Sequence, residues 1–138
     1  MAVELVFDIA GGDFSNAGKA SSQIKKVLKQ LNVNARSIKR IVVAVYEAEV
    51  NIAAHASHGT VTAVIDENDV RITVSDTGPG IADIRLAMQP GFSTATKAVR
   101  EMGFGAGMGL MNIEKNTDEL TIESTVGEGT TVKFRCFY

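Results

Sequence analysis

The fold depends on how one apolar-rich stretch is interpreted: residues 41–56 read IVVAVYEAEVNIAAHA. The first five residues of this stretch have the β-branched content of a strand. The apolar-rich pattern nevertheless continues to Ala54 without a glycine or a proline, which exceeds the roughly 4–8 residues of a typical strand. We therefore predict a helix that begins at Asn34 or Ser37 and reaches about His55.

Shorter elements lie on both sides of this helix. Strict alternation of apolar and polar residues predicts five strands, at residues 3–9, 61–65, 70–74, 120–124 and 132–138. Helical spacing predicts three further helices, at about 17–31 (capped by Asp13 or Ser15), 82–88 and 107–116, and residues 89–106 are predicted to form a long loop. This order indicates an α/β two-layer sandwich, in which helices cover one face of a mixed β-sheet.

The composition restricts the class of protein. The chain has 138 residues, of which 45% are hydrophobic, so we expect one packed domain over 1–138. Its net charge of -2 provides no basic excess for neutralising phosphates, which argues against a dedicated nucleic-acid binder. No apolar run approaches the roughly 20 residues of a membrane span, and the single cysteine, Cys136, cannot form an internal disulfide. We therefore expect a cytoplasmic protein.

Four glycines alternate strictly with other residues in one segment, at Gly103, Gly105, Gly107 and Gly109, and lead into a helical pattern at Leu110. Glycine at a helix start costs stability relative to alanine, so four of them need a reason. Bare backbone N–H groups at a helix N-terminus form an anion site, and phosphate is its commonest occupant. A hinge or a tight turn would explain the same residues. The spacing fits neither the P-loop nor the dinucleotide-binding pattern.

The long helix carries a carboxylate and a carboxamide one turn apart, at Glu47 and Asn51. The i, i+4 spacing places both side chains on one face, and His55 extends the same stripe. A functional interpretation is that Asn51 supplies a neutral oxygen ligand to Mg²⁺, while Glu47 polarises a hydroxyl group or a water molecule. The alternative is an ordinary solvated helix edge, on which Glu49 is a further acid.

Two glycine-containing turns complete the set of candidate features. Residues 76–80 read DTGPG at the end of a predicted strand, where the carboxylate of Asp76 can accept a hydrogen bond from an exocyclic amine. Residues 127–131 read GEGTT and enter the last strand, where Thr130 can support a buried polar site. A turn explains the first segment equally well, and a hairpin explains the second.

Taken in chain order, these four pieces resemble the N box, the G1 box, the G2 box and the terminal Gly-x-Gly-Thr segment of the GHKL ATPase superfamily, which includes DNA gyrase B, sensor histidine kinases and MutL. The chain is most similar to the small anti-sigma factor and switch serine kinases of Gram-positive bacteria. This similarity is carried by residues 45–56 (VYEAEVNIAAHA), 83–94 (DIRLAMQPGFST) and 127–132 (GEGTTV). The resemblance implies a Bergerat ATP-binding fold with ATP and Mg²⁺ as its ligands.

The resemblance also implies roles for individual residues at the adenine end of the site. Asp76 would bind the adenine amino group, Gly78 and Gly80 would lie beside the ring, and Thr130 would complete the pocket.

At the phosphate end, the resemblance implies that Asn51 would hold Mg²⁺ and that Glu47 would be the general base toward a serine or threonine hydroxyl. Lys19 lies roughly where the anti-sigma kinases place an arginine near the γ-phosphate. The lid 89–106 contains Lys97 and Arg100, which would either meet the γ-phosphate or belong to a solvated basic loop. Backbone N–H groups would contact the phosphates at Gly105, Gly107, Met108, Gly109 and Leu110.

Three function classes follow from the resemblance. The first is a serine/threonine protein kinase that phosphorylates a small anti-anti-sigma (antagonist) protein. The second is a non-catalytic module that sequesters a sigma factor, and the third is an ATP-dependent regulator of another complex. A homodimer is implied by family analogy. A sensor histidine kinase is disfavoured, because the chain has no room for a dimerisation helix pair that carries a phospho-accepting histidine.

Overall fold

The computed structural model describes residues 2–89 and 109–138. Its elements are, in chain order, β1 (Val3–Ala10), a 3-10 turn (Phe14–Asn16), α1 (Lys19–Gln30), α2 (Ala35–His55), β2 (His58–Ile65), β3 (Asp69–Thr77), α3 (Ile84–Ala87), α4 (Gly109–Lys115), β4 (Glu119–Thr125) and β5 (Gly129–Phe137). The five predicted strands and the long helix are confirmed. Within the described ranges, no helix combines the length and the apolar character that crossing a membrane requires.

The five strands form one sheet in the order β1-β2-β3-β5-β4, and every neighbouring pair is antiparallel. The prediction of a mixed sheet is therefore wrong. The chain does return after β3 to a strand that runs parallel to it, namely β4, as expected for a crossover connection. The hairpin that follows inserts β5 between these two strands, so that Val132 lies opposite both Val74 and Ile122.

The hydrophobic core lies between one face of the sheet and the helices. Inward residues of the strands alternate with outward ones, as the period of two requires. The helices contribute the buried residues Ile24, Leu28, Ile41, Val45, Ile52 and Ile113, and the central strands contribute Val61, Ile65, Val70, Ile72 and Phe134. The prediction that helices cover one face of the sheet is confirmed.

Helix α2 begins as its sequence predicts. The side chain of Asn34 caps it by accepting a hydrogen bond from the backbone N–H of Ser37 at 2.9 Å. The helix ends at His55, where Ala56 turns to an extended conformation and β2 follows at once. The site residues on α2 are thus carried by a helix of 21 residues that is packed against the core along its length.

Helix α1 begins differently from its prediction. Asp13 does not cap it but accepts hydrogen bonds from the side chains of Ser15 and Asn16, and the helix starts only after Gly18, at a φ of +101°. The cap comes instead from Glu49 of α2. Its carboxylate accepts hydrogen bonds from three backbone N–H groups at the start of α1, those of Gly18 (3.0 Å), Ala20 (3.1 Å) and Ser21 (2.8 Å).

Glu49 is only 1% exposed, so it is not part of the solvated helix edge that the sequence allowed as an alternative. A buried carboxylate requires hydrogen-bond partners, and the N-terminus of a helix provides them together with a favourable dipole. Glu49 therefore fixes the start of α1 to the middle of α2.

Candidate functional site

The stripe on α2 that carries Glu47 and Asn51 faces the start of α4. The side-chain amide of Asn112 donates a hydrogen bond to Oε1 of Glu47 at 3.3 Å. A Cβ atom at Gly109 would lie 2.9 Å from Oδ1 of Asn51 and 3.2 Å from its Nδ2. The backbone at the first residue of α4 therefore lies directly beside the carboxamide of Asn51.

Glu47 and Asn51 are both half-buried, and the next position of the stripe is His55 at the end of α2. Burial lowers the pKa of His55, which favours the neutral imidazole at neutral pH. The stripe therefore offers a carboxylate, a neutral oxygen that can serve as a metal ligand, and a neutral imidazole ring along two turns of one helix.

At the end of the sheet, Asp76 near the end of β3 meets Thr130 near the start of β5. The backbone N–H of Thr130 donates to Oδ1 of Asp76 at 3.1 Å. Burial raises the pKa of Asp76, and this hydrogen bond partly offsets the effect. A half-buried carboxylate whose second oxygen forms no hydrogen bond with residues 2–89 or 109–138 is suited to accept one from an amine.

The glycines around Asp76 are required by close approach and by backbone conformation. A Cβ atom at Gly78 would lie 3.1 Å from Cα of Ala56, just past the end of α2, and 3.3 Å from Oδ1 of Asp76. Gly80 has a φ of +73°, and a Cβ atom there would collide with the carbonyl oxygen of Thr125. The loop after β3 is therefore packed between α2 and the β4–β5 turn, and the turn chemistry and the close approach both depend on these glycines.

Ser124 is a residue of this region that the sequence analysis missed. Its Oγ accepts a hydrogen bond from the backbone N–H of Ile81 at 2.7 Å and lies 2.8 Å from Oγ1 of Thr130. It also contacts the carbonyl oxygen of Gly129 at 3.1 Å. The available signal was a serine at an inward position of β4, directly opposite Thr130 in the hairpin. Ser124 links the loop after β3 to the residue that binds Asp76.

The other predicted site residues divide into two groups. Gly109 and Leu110 are the first two residues of α4, and Lys19 is the first residue of α1, with an exposed side chain. The remaining predictions lie outside the described residues and concern Lys97, Arg100, Gly105, Gly107 and Met108.

The two clusters of residues lie along the C-terminal half of α2. Asn51 is at one cluster, and Ala56, five residues later, contacts Gly78 at the other. The four residues from Asn51 to the last helical residue, His55, correspond to about 6 Å along the axis. The two groups of candidate residues therefore lie close together along the same half of the helix.

Comparison with known proteins identifies the family. Residues 13–136 match the family model described as a histidine kinase-like ATPase domain. The chain belongs to this family. Its histidine kinase-like ATPase domain confirms the resemblance found in the sequence and the α/β ATPase fold, and it implies that the chain binds ATP.

Relatives with established names are of the two predicted kinds. The chain is 37% identical over 123 residues to an anti-sigma F factor of Caldanaerobacter subterraneus subsp. tengcongensis, with 86% of this chain and 82% of the relative covered. It is 33% identical over 113 residues to the serine/threonine-protein kinase RsbT of Bacillus subtilis, with 79% of each chain covered. The predicted class of protein, an anti-sigma-type regulator and serine/threonine kinase, is therefore confirmed by its relatives.

A solved structure shares the fold of this ATPase domain. A chain in the crystal structure of the SiaB–SiaC complex from Pseudomonas aeruginosa aligns with a TM-score of 0.60 and 14% identity, and the alignment covers 97% of this chain and 89% of that one. At this identity the similarity concerns the fold alone.

Proposed function

We propose that this chain transfers the γ-phosphoryl group of ATP to a serine or threonine of a small antagonist protein and acts as an anti-sigma-type regulator in the cytoplasm. The observation that carries the proposal is the position of Glu47. It lies one helical turn before Asn51, on the face of α2 that meets the start of α4, and it is held by Asn112 at 3.3 Å. A carboxylate beside a phosphate site is suited to activate a hydroxyl group.

The chemistry assigned to Glu47 is general-base catalysis. A serine hydroxyl is a weak nucleophile until a base at about 2.6–3.2 Å accepts its proton. As the hydroxyl oxygen forms a bond to the γ-phosphorus, the bond from that phosphorus to the β,γ-bridging oxygen breaks. ADP is released, and the proton of the hydroxyl moves to the carboxylate of Glu47. The products are a phosphoserine or phosphothreonine and ADP.

The remaining residues bind and position the nucleotide in this proposal. Asp76 accepts a hydrogen bond from the adenine amino group, with Gly78, Gly80 and Thr130 around the ring. The donor set at Asn51 suits Mg²⁺, which is typically held by one or two protein oxygens together with substrate phosphates. When bound, Mg²⁺ would neutralise charge on the phosphates. Backbone N–H groups would contact the phosphates at Gly105, Gly107, Met108, Gly109 and Leu110.

Isosteric variants separate catalysis from binding. Glu47→Gln should slow transfer of radiolabelled phosphate to the antagonist protein encoded beside the gene by roughly 100-fold or more, while leaving ATP affinity by calorimetry within about threefold. The matched control is Glu114→Gln, an exposed acid on α4, which should retain full transfer. Absence of phosphoserine and phosphothreonine with the wild-type chain, under conditions where ATP binds, would refute the kinase proposal. Wild-type transfer by Glu47→Gln would refute the role of Glu47.

A second candidate is a non-catalytic ATP-binding module that sequesters a sigma factor. The observation that favours it is the name of several relatives, anti-sigma F factor. In this case the chain would retain a sigma factor in a pull-down with ATP present and would transfer no phosphate to the antagonist. Light scattering of the same samples tests the accompanying proposal that the chain is a homodimer.

A further inference from the structure

Charge is strongly segregated along this chain, although the net charge is only -2. Residues 19–46 comprise α1 and the first half of α2, and they contain seven lysines and arginines but neither aspartate nor glutamate. The remaining 110 residues hold the other seven cations and all 16 acids, which gives them a formal charge of -9. Residues 19–46 are therefore positively charged, whereas the rest of the chain is negatively charged.

Most of these cations are exposed, and few of them pair with an acid among residues 2–89 and 109–138. Arg40 pairs with Asp118 at 3.1 Å, and Lys19 lies near Asp13. In the part of the chain that the structure describes, the others form no ion pair. We call these five exposed side chains the basic face: Lys25, Lys26, Lys29, Arg36 and Lys39.

The basic face is not explained by the stability of its helices. Lys25 and Lys29 form a like-charged i, i+4 pair on α1, a spacing that destabilises a helix. A surface that only needs solvation carries both signs of charge as readily as one. The exclusion of acids over 28 residues therefore indicates a role outside the folding of the chain.

Two residues of the basic face lie on the same side of α2 as the proposed general base, Glu47. Arg36, Lys39, Val43 and Glu47 recur at spacings of three and four residues, so they lie along one face of α2. At 1.5 Å per residue, Lys39 lies about 12 Å from Glu47 along the helix axis, and Arg36 lies about 17 Å away. A protein seated on this face would therefore reach Glu47 with a neighbouring part of its own surface.

Two exposed apolar side chains belong to the same segment of the chain as these cations. Leu31, at the turn between α1 and α2, is 49% exposed, and Tyr46 of α2 is 38% exposed. Charged residues around exposed apolar ones are typical of a protein–protein interface. An extended polyanion such as DNA, or an anionic membrane, would also approach the rest of the chain with its charge of -9, whereas a small acidic protein surface contacts the basic face alone.

We propose that the basic face is the docking surface for an acidic patch of the protein that receives the phosphoryl group. This inference rests on the proposed kinase function for the identity of the occupant. Attraction between opposite charges would increase the rate of encounter and hold the acceptor protein on this face.

The test is a charge reversal with a control of equal charge. The double variant Arg36→Glu/Lys39→Glu alters the basic face; both side chains are exposed, and a glutamate at position 36 in the first turn of α2 suits the helix dipole, so we expect the variant to fold. The control is Arg85→Glu/Lys133→Glu, which changes two exposed cations outside the basic face by the same total charge. The substrate is the small antagonist protein encoded beside the gene, and its binding is measured by calorimetry in parallel with steady-state transfer.

The basic-face variant should raise the KM and the Kd for the antagonist by roughly tenfold or more at low salt, with a smaller effect at high salt. Its kcat and its KM for ATP should stay at the wild-type values. The control should bind the antagonist within about twofold of wild type. Equal losses in both variants, unchanged binding in the basic-face variant, or no binding by wild type would overturn the docking proposal.

Other partners and the failure of the kinase proposal are distinguishable in the same experiment. Vesicles of anionic lipid and duplex DNA are tested as binding partners. If the basic-face variant loses binding to the vesicles or to DNA but binds the antagonist as the wild-type chain does, the acidic-protein proposal is overturned. If the wild-type chain binds the antagonist through the basic face but transfers no phosphate, the docking surface is supported and the kinase proposal fails.

Discussion

Replacing Glu49 by glutamine tests whether one side chain of α2 holds α1 in place. Oε2 of Glu49 accepts from the N–H groups of Gly18 and Ala20, and Oε1 accepts from that of Ser21. Glutamine has nearly the same shape but only one acceptor oxygen, and its NH₂ group cannot accept a hydrogen bond. One or two of the three N–H groups therefore lose their partner, whichever way the amide is oriented.

The expected cost follows from these contacts. A buried donor left without an acceptor costs about 1–3 kcal/mol, and bonds that are no longer charge-assisted weaken by about half. One or two N–H groups lose their acceptor, and the remaining hydrogen bonds to residue 49 weaken. We therefore expect Glu49→Gln to lower the free energy of unfolding by about 3–5 kcal/mol. Domains have a total stability of about 5–15 kcal/mol, so the Tm should fall by about 10 °C or more.

Thermal and urea denaturation followed by circular dichroism measure this change. The matched control is Glu123→Gln, an exposed acid on β4, which should alter stability by no more than about 0.5 kcal/mol. A loss below about 1 kcal/mol in Glu49→Gln, or an equal loss in the control, would show that the three hydrogen bonds do not stabilise the fold as argued here.

Four other predictions concern the proposed site. Asp76→Asn should weaken ATP binding by about 100-fold in calorimetry, because it removes a charged acceptor for the adenine amino group; unchanged affinity would refute the adenine assignment. ATP affinity should also fall on acidification, beginning at a higher pH than an ordinary aspartate would give, because burial raises the pKa of Asp76 and its protonated form is a weaker acceptor without charge; a flat profile would contradict this. Gly129→Ala should destabilise the chain in urea by about 3 kcal/mol, because its Cβ atom would collide with the carbonyl oxygen of Asp76, whereas Gly127→Ala, with open space around it, should cost about 1 kcal/mol for its φ of +82°. Asn112→Ala should slow phosphoryl transfer by about tenfold in the wild-type chain, but should not change the residual rate of Glu47→Gln; equal effects in both backgrounds would show that Asn112 does not act through Glu47.

The elements that local sequence determines were predicted well. Helix α2 was recognised because its apolar pattern is too long for a strand, and β2 and β3 were recognised because alternation is a property of neighbouring residues. The direction of β5 beside β3 depends on how the chain returns to the sheet after more than 50 residues, and no local pattern reports it. The start of α1 was misplaced for the same reason, since its cap lies 28 to 31 residues away on another helix.

Some features of the candidate site are likewise visible in the local sequence, and others depend on contacts between distant elements. The spacing of Glu47 and Asn51 on one helix face is visible in the sequence. Asn112 supports the site through a partner on another helix, and a lone asparagine gives no signal of this, whereas the only sequence signal for Ser124 was its inward position opposite Thr130. Glu47 and Glu49 show the limit most clearly, because two glutamates within one turn face opposite sides of α2, and only tertiary packing decides that Glu49 is the buried one.

Helix α2 both holds α1 through Glu49 and positions the proposed site residues Glu47 and Asn51. Because the helix is rigid, variants can alter one of these roles without the other. Glu49 faces α1, whereas Glu47 and Asn51 face α4, so the distance between the proposed base and the proposed metal ligand is fixed by the backbone of α2 alone. Loosening α1 lowers the stability of the whole domain but leaves this distance unchanged. Below its reduced Tm, Glu49→Gln should therefore transfer phosphate with a kcat near that of the wild-type chain, whereas Glu47→Gln should lose transfer without losing stability.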